Sequence, residues 1–506
     1  MKKIFMQEWM AARPYRVADS ADVYYIGIAN KVAAIVKSEI SDSTVTDHHR
    51  RYIGLFMASW FEDVISNIGV WKAFTDECLK RYGTRVPLYP VGEDYYTDEV
   101  NEADVHFLLW HYLQVLCNDR KVISPEDPQI NAAAKEVYAL LAAEYETAPE
   151  NESLQQAFYG YTYTESEEGI ARYFDFLRWF HFRSFLNCEN MDRLQQKMEK
   201  EAAAQNRMIM EGNGALLQHI LMTDSELFDR FDLLSLTSPE WLARIGEGHP
   251  ETKAWASVKV SPSNYFLYMK KDEEWVYLQD LVSGATEPMR VKRLSFNQAE
   301  LEKAVDQEVI FATSLVEYMG VWYQRGMLLM APKTDGKLVT EVARAGNRLD
   351  HSQEKADYEH FMQVTGGKPV VFFRTKQEVM DFLTRQLGMT MDEVDLSVDE
   401  RTGAAVMASK EVGVHVQLGL VDCLQSPDNP LYHAESARKG ALSFLVSPSV
   451  IPYSLSCRLL DEGMLADAVM NSRKGEQYGA DLVRLNARFL TDYYFHQCRE
   501  KDLISW

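Results

Sequence analysis

Two adjacent carboxylates, Glu62 and Asp63, fall inside a run that reads as a buried helix, Tyr52-Ile-Gly-Leu-Phe-Met-Ala-Ser-Trp-Phe-Glu-Asp-Val-Ile. A charge on a buried face requires a partner. The positions one helical turn away hold Ala58, Ser59, Ile65 and Ser66 around Glu62, and Ser59, Trp60, Ser66 and Asn67 around Asp63, with no basic side chain among them. The partners must come from elsewhere in the fold. Asp98, Asp104 and His106 follow in an acidic stretch that leads into a second apolar helix. Carboxylates and imidazole on facing helices are how di-metal sites are built in bundles, so Glu62, Asp63, Asp98, Asp104 and His106 form a candidate buried polar cluster that could ligate a metal or supply a general base.

The spacing gives that chemistry little support. Glu102 and His106 are four residues apart where the ferritin-type motif needs three, and His106 and His111 point roughly 140° away from each other on a helix. The plainer role for Asp98 to Asp104 is to cap the helix that starts near Glu102, where the macrodipole favours acids. For Glu62 and Asp63 it is an ion pair or a backbone cap that holds the helices together. No cofactor or metal identity follows from these residues.

Other catalytic signatures are absent. Thr365-Gly-Gly-Lys-Pro offers a lysine, but Pro369 stands where a metal-binding hydroxyl is needed and the upstream glycine of a phosphate cradle is missing. Neither a Gly-x-Ser-x-Gly elbow nor a His-Glu-x-x-His pair occurs. A P-loop ATPase, an α/β-hydrolase and a zincin are therefore not expected. His48-His-Arg-Arg51 is a basic cluster that could receive an acidic or phosphorylated partner, or else pair with nearby acids. Arg290 and Lys292 share one face of a strand and, with Tyr265, Tyr268, Trp275, Tyr277, Trp322 and Tyr323, could form a stacking surface for single-stranded nucleic acid. The same aromatics also alternate as barrel-core residues would.

The elements that must position these residues fall into three parts. Residues from about 15 to 235 read as mostly helical, with apolar periodicity in Val23 to Val36, Tyr52 to Val64, Val105 to Leu116, Ala132 to Ala143, Tyr173 to Leu186 and Ala215 to Met222, and with Ser43 and Asn101 as capping candidates. The acidic stretch Glu144 to Glu168, which carries Tyr159, Tyr161 and Tyr163, contains Pro149 and Gly160 and reads as a surface loop. Proline and glycine between Ser238 and Pro250 mark a boundary. Strand-like runs follow at Tyr265 to Met269, Trp275 to Leu281, Met289 to Leu294, Val309 to Tyr318 and Val321 to Met330, which suggests a small five-stranded, SH3-like barrel. After the polar linker Pro332 to Gly336 come a strand from Pro369, a helix over Lys376 to Leu387, a hairpin around Val412-Gly413 and closing helices. The expected class is α+β, with a helical domain at 1–237, a β module at 252–331 and an α+β domain at 337–506.

Composition narrows the partners. Against 53 Lys and Arg stand 75 Asp and Glu, a net charge of −22 over 506 residues, which opposes non-specific binding to nucleic acid or anionic membrane. The β module itself, with nine basic and ten acidic residues between Thr252 and Ala331, is nearly neutral. No apolar run is long enough to cross a bilayer, and Met1 to Glu8 lacks the apolar core of a secretory signal. Cys78, Cys117, Cys188, Cys423, Cys457 and Cys498 show no Cys-x-x-Cys spacing, so reduced thiols in a cytoplasm are expected.

Three stretches, Trp60-Phe-Glu-Asp-Val-Ile-Ser-Asn-Ile-Gly-Val-Trp-Lys-Ala-Phe, Asp98-Glu-Val-Asn-Glu-Ala-Asp-Val-His-Phe-Leu-Leu-Trp-His and Ser426-Pro-Asp-Asn-Pro-Leu-Tyr-His-Ala-Glu-Ser-Ala-Arg-Lys-Gly-Ala-Leu, resemble a family of Bacteroidetes proteins catalogued as a domain of unknown function. The likeness spans nearly the whole chain. It implies a bacterial cytoplasmic protein and carries no activity or site residue with it. The expected function is that of a protein interaction or adaptor module, whose β module and acidic, Tyr-rich loops bind another protein. A metal-dependent hydrolase using the carboxylate and histidine cluster is the alternative.

Overall fold

Close helix packing dominates the first half of the chain. The computed structural model describes residues 2–41, 44–116, 122–187, 190–204, 210–304, 308–390 and 397–496; Ser43, Cys117, Cys188 and Cys498 lie outside them. Eleven helices come first: α1 (Met6–Ala11), α2 (Ser20–Glu39), α3 (Asp47–Ile65), α4 (Val70–Tyr82), α5 (Glu102–Leu116), α6 (Pro128–Glu144), α7 (Glu152–Tyr159), α8 (Glu167–Arg183), α9 (Asn190–Ala204), α10 (Met210–Phe228) and α11 (Ser238–Gly246). Side-chain caps start several of them. Asp19 and Thr46 form capping boxes at α2 and α3, and Asn151 and Ser166 cap α7 and α8. Helices α2 and α3 cross at Gly54, where an added Cβ would meet the carbonyl oxygen of Ala29 at 2.4 Å, so only glycine permits the approach.

Two stretches differ from the sequence expectation. Glu144 to Glu168 is not all loop: it contains α7, whose Leu154 and Phe158 are buried. Ser238 to Pro250, marked as a boundary by its proline and glycine, holds α11, with Pro239 in the first turn and Trp241 and Leu242 fully buried. Proline suits a helix start because its missing N–H has no intrahelical acceptor there, so Pro239 opens α11.

The β module is a closed five-stranded barrel. Strand β1 (Lys259–Val260) pairs at the edge of β5; β2 (Tyr265–Lys271), β3 (Trp275–Asp280), β4 (Met289–Lys292), β5 (Val309–Tyr318) and β6 (Val321–Pro332) close through antiparallel β5–β6 and a short parallel contact, Val291 to Trp322. The two-residue turn Met319-Gly320, with φ of +50° and +84°, has the left-handed backbone that matches strand twist in a tight hairpin. Phe266, Val276, Leu278, Val291 and Phe311 fill the interior.

After the four-residue helix α12 (Gln298–Leu301), which precedes β5, the chain continues as α13 (Gly336–Leu349), α14 (Ser352–Val364), β7 (Val370–Phe373), α15 (Lys376–Asp381), β8 (Ala404–Ser409), β9 (Gly413–Gln417), α16 (Ala434–Gly440), α17 (Ser443–Val446), α18 (Tyr453–Asp461) and α19 (Glu476–Tyr494). Strand β8 is central in the antiparallel order β7-β8-β9 and buried along its whole length. One face, with Ala404, Val406 and Ala408, packs on Phe361, Val379 and Phe382; the other, with Ala405 and Met407, joins the main core. That core runs from Ile4 to Phe495 and includes Trp60, Trp71, Trp110 and Phe489, so α19 seals the helical half. The observed class is α+β, as expected: a helical half, a small closed barrel and a mixed C-terminal region.

Candidate functional site

Successive residues on an α-helix point about 100° apart, and this separates the two carboxylates at the end of α3. Glu62 is completely buried and meets Arg13, which follows α1 and forms an ion pair with it. The amide of Asn151 donates to Glu62 Oε1 at 2.7 Å and to the Tyr15 hydroxyl at 2.8 Å. Tyr15 in turn donates to Asp22 Oδ1 at 2.7 Å, as does the indole of Trp9 at 2.7 Å. Arg13 also donates to Ser59 Oγ at 2.7 Å and lies over the Trp9 ring, 3.5 Å from its centroid. The result is a buried polar network that links an arginine, two carboxylates, a phenol and an amide. Burial raises the Glu62 carboxyl to about 7, against the downward pull of Arg13 and Asn151.

Asp63 faces the other way. Its two oxygens accept from the backbone N–H groups of Val70 at 3.0 Å and Trp71 at 2.9 Å, capping α4 from outside that helix. The N-cap residue itself is Gly69, whose φ of +91° a side chain would oppose, so it has no capping group of its own and Asp63 supplies one. Burial raises Asp63 to about 7 while these amides pull it down.

The remaining candidates sit apart. Asp104 is buried in the first turn of α5, where Tyr95 donates to it at 2.9 Å and Asn101 at 3.3 Å; burial raises it to about 7. Asp98 is exposed, and its backbone carbonyl accepts from the Tyr145 hydroxyl. His106 stacks on Tyr89 with ring centroids 5.4 Å apart, and burial lowers its pKa. The five residues therefore do not gather into one polar cluster, and among the described residues no group of three His, Cys, Asp or Glu side chains could hold a metal. His111 is buried elsewhere, with Nδ1 2.9 Å from the Tyr493 hydroxyl, and burial lowers it to about 4.

The basic clusters are likewise engaged. Arg50 pairs with Asp47 at 3.2 Å, Arg51 with Glu8, and His48 packs edge-on against Tyr52. On the barrel, Arg290 and Lys292 both lie over Trp275, Lys292 also binds Glu274 at 2.5 Å, and Tyr268 stacks on Phe311 in the barrel core.

Two arrangements were not legible in the sequence. Glu226 of α10 is fully buried and joins Arg178 of α8, at 2.8 Å, to Arg325 of β6, tying the barrel to the helices. Beside the Glu62 network lies a surface cleft of about 680 Å³, lined by Pro14 to Val17 on one side and by Gln156, Tyr161, Tyr163, Arg172, Phe176 and Trp179 on the other. Arg172 lies 4.1 Å from the Tyr161 ring centroid, and the Trp179 indole donates to the carbonyl of Ala12 at 3.0 Å. Tyr15 belongs to both cleft and network. The unusual tyrosine content of the stretch after Glu144 was the only sequence signal for this cleft.

The chain belongs to the family described as protein of unknown function (DUF3843), whose model matches residues 3–303 and 335–496, nearly its whole length. Neither a curated protein nor a solved structure matches it.

Proposed function

We propose that this member of a family of unknown function is a protein interaction module that docks a segment of a partner protein in the cleft between Tyr15 and Tyr161. The observation that carries the reading is the make-up of that cleft: tyrosine, tryptophan and arginine side chains, the residues that dominate binding energy at protein interfaces, on a concave surface of about 680 Å³. Its floor is held in place by the hydrogen bonds of Tyr15 and Trp179, which lowers the ordering cost of binding. Val17 is 81% exposed at the rim and offers an apolar contact. Arg16, Arg172, Asp19 and Asp175 supply both signs of charge for a polar rim.

The metal-dependent hydrolase reading lacks this kind of support, because its carboxylates have separate structural partners. Nucleic acid is not the expected ligand: the net charge is −22 and the cations of the barrel strand lie over Trp275. Among the described residues no helix is long and apolar enough to cross a membrane. We place the protein in the cytoplasm, a reading supported by Cys78, Cys423 and Cys457, which are buried free thiols. The division at 237, 252–331 and 337 also stays a proposal, supported by the barrel's separate core and tested by whether protease cuts first at the exposed 332–336 link.

Panning a random peptide library on the full chain tests the docking site. Enriched peptides should bind with roughly micromolar dissociation constants and lose about tenfold in affinity to Tyr161→Ala, whose melting temperature stays unchanged. Failure to enrich any peptide sensitive to this substitution would overturn the reading.

A further inference from the structure

We propose that the cavity between the end of α4, the turn at 234–236 and α19 is a binding site for a small phosphate monoester. The cavity, about 460 Å³, is lined by Arg81, Arg230 and Arg488, three guanidinium groups in a chain that carries a net charge of −22. The two carboxylates in the same wall are already committed. Asp492 accepts from the hydroxyls of Tyr82 at 2.8 Å and Tyr453 at 2.6 Å. Glu240 accepts from the backbone N–H of Thr237 at 2.7 Å and from Arg230 at 3.0 Å. Arg81 is itself paired through Nε with Glu77 at 2.6 Å, a carboxylate outside the cavity wall, and Arg488, whose ion pair with Asp461 is loose at 3.8 Å, is the least committed of the three cations.

The backbone at this wall is strained. Leu234 and Ser235 are consecutive non-glycine residues in the left-handed region, with φ of +61° and +55°, a conformation that persists only where the surroundings impose it. Two of the arginines impose it: Arg81 Nη1 donates to the Leu234 carbonyl at 2.9 Å and Arg230 Nη1 to the Ser235 carbonyl at 2.6 Å. The strained turn sets Ser235 in the cavity wall, fully buried, with a hydroxyl that has no hydrogen-bond partner among the described residues. A buried unpaired hydroxyl is costly, and an acceptor oxygen brought by a ligand removes that cost.

The donor set selects the ligand class. Guanidinium groups match the oxygens of a phosphoryl group with paired, charge-assisted hydrogen bonds, and three of them with a hydroxyl suit a dianion better than a single carboxylate. The volume exceeds what the phosphoryl group alone would fill, leaving room for a small organic remainder.

Calorimetric titration of the full chain with glycerol phosphate, inorganic phosphate and acetate, at constant ionic strength, tests this assignment. The monoester should bind saturably and more tightly than inorganic phosphate, with acetate silent. Affinity should fall about tenfold in Arg488→Gln, which removes a charge-assisted contact, and by a smaller factor in Ser235→Ala. Arg488 is 43% exposed and pairs only loosely with Asp461, at 3.8 Å, so its replacement leaves the fold intact and a melting curve verifies this. No saturable binding, equal binding of acetate or of inorganic phosphate, or an Arg488→Gln variant that binds like the wild type would each overturn the proposal.

Discussion

Arginine and carboxylate side chains meet in two regions of this molecule with opposite outcomes. Around Glu62 they close on one another: Arg13, Asn151, Tyr15 and Asp22 form a network with no exit to solvent from Glu62 itself. Around Ser235 three arginines border a cavity whose carboxylates are spoken for, and a buried hydroxyl goes unpaired. The same residue types thus serve as internal cement in one place and as the wall of a solvent-accessible cavity in the other. What separates the two is that Glu62 is enclosed by its donors, whereas the Ser235 hydroxyl, buried in a cavity wall, has no hydrogen-bond partner among the described residues.

The comparison breaks first, and most expensively, at Glu62. Glu62→Ala leaves the Arg13 guanidinium buried without a counter-charge and should cost about 3–5 kcal/mol in chemical denaturation. Replacing both Arg13 and Glu62 by leucine should cost less than the single change, because no lone charge remains; a double variant worse than Glu62→Ala would show that the network matters for more than charge balance.

Asp63→Ala strands the amides of Val70 and Trp71 inside the protein and should cost about 2–4 kcal/mol, with Asp63→Asn milder since its amide retains one acceptor oxygen. Equal losses in the two variants would mean that the negative charge, and not the acceptor, is what α4 requires.

A smaller effect follows from the direction of the Asp63 shift. Burial holds its folded-state carboxyl near 7, above its value in the unfolded chain, so the native state binds the proton more tightly. The stability this contributes is fully present below the ordinary aspartate range and is lost as pH rises through about 7. Between pH 5 and pH 8 the wild type should therefore lose at least about 1 kcal/mol relative to Asp63→Asn, whose side chain does not titrate. Parallel stability curves for the two proteins would contradict the shift.

The smallest effect belongs to the open region. Arg488→Gln should change unliganded stability by no more than about 0.5 kcal/mol, because its ion pair is loose and partly exposed. A loss as large as that of Glu62→Ala would erase the distinction between the two regions.

Local pattern determined much of this protein without the structure. The 3.6-residue periodicity of Tyr52 to Val64 and the alternation from Tyr265 to Met330 are set by which faces must be apolar, so α3 and the five main barrel strands could be read from the sequence, whereas α7 and α11 could not. So could the demand that Glu62 and Asp63 find partners beyond their own helix. The identity of those partners could not: Arg13 lies 49 positions from Glu62 and Asn151 lies 89, and Asp63 is satisfied by backbone amides that carry no sequence signature. Asp98 and His106 shared a charge pattern with the buried carboxylates, but Asp98 falls in the exposed turn before α5 and His106 on a half-buried face of that helix. The cavity of Arg81, Arg230 and Arg488 is the clearest case of tertiary decision. Its arginines come from α4, the segment before the strained turn, and α19, and only the closure of the last helix against the first half brings them to one wall. Periodicity and composition are local constraints on burial, whereas the meeting of side chains hundreds of residues apart is fixed by the packing of whole elements.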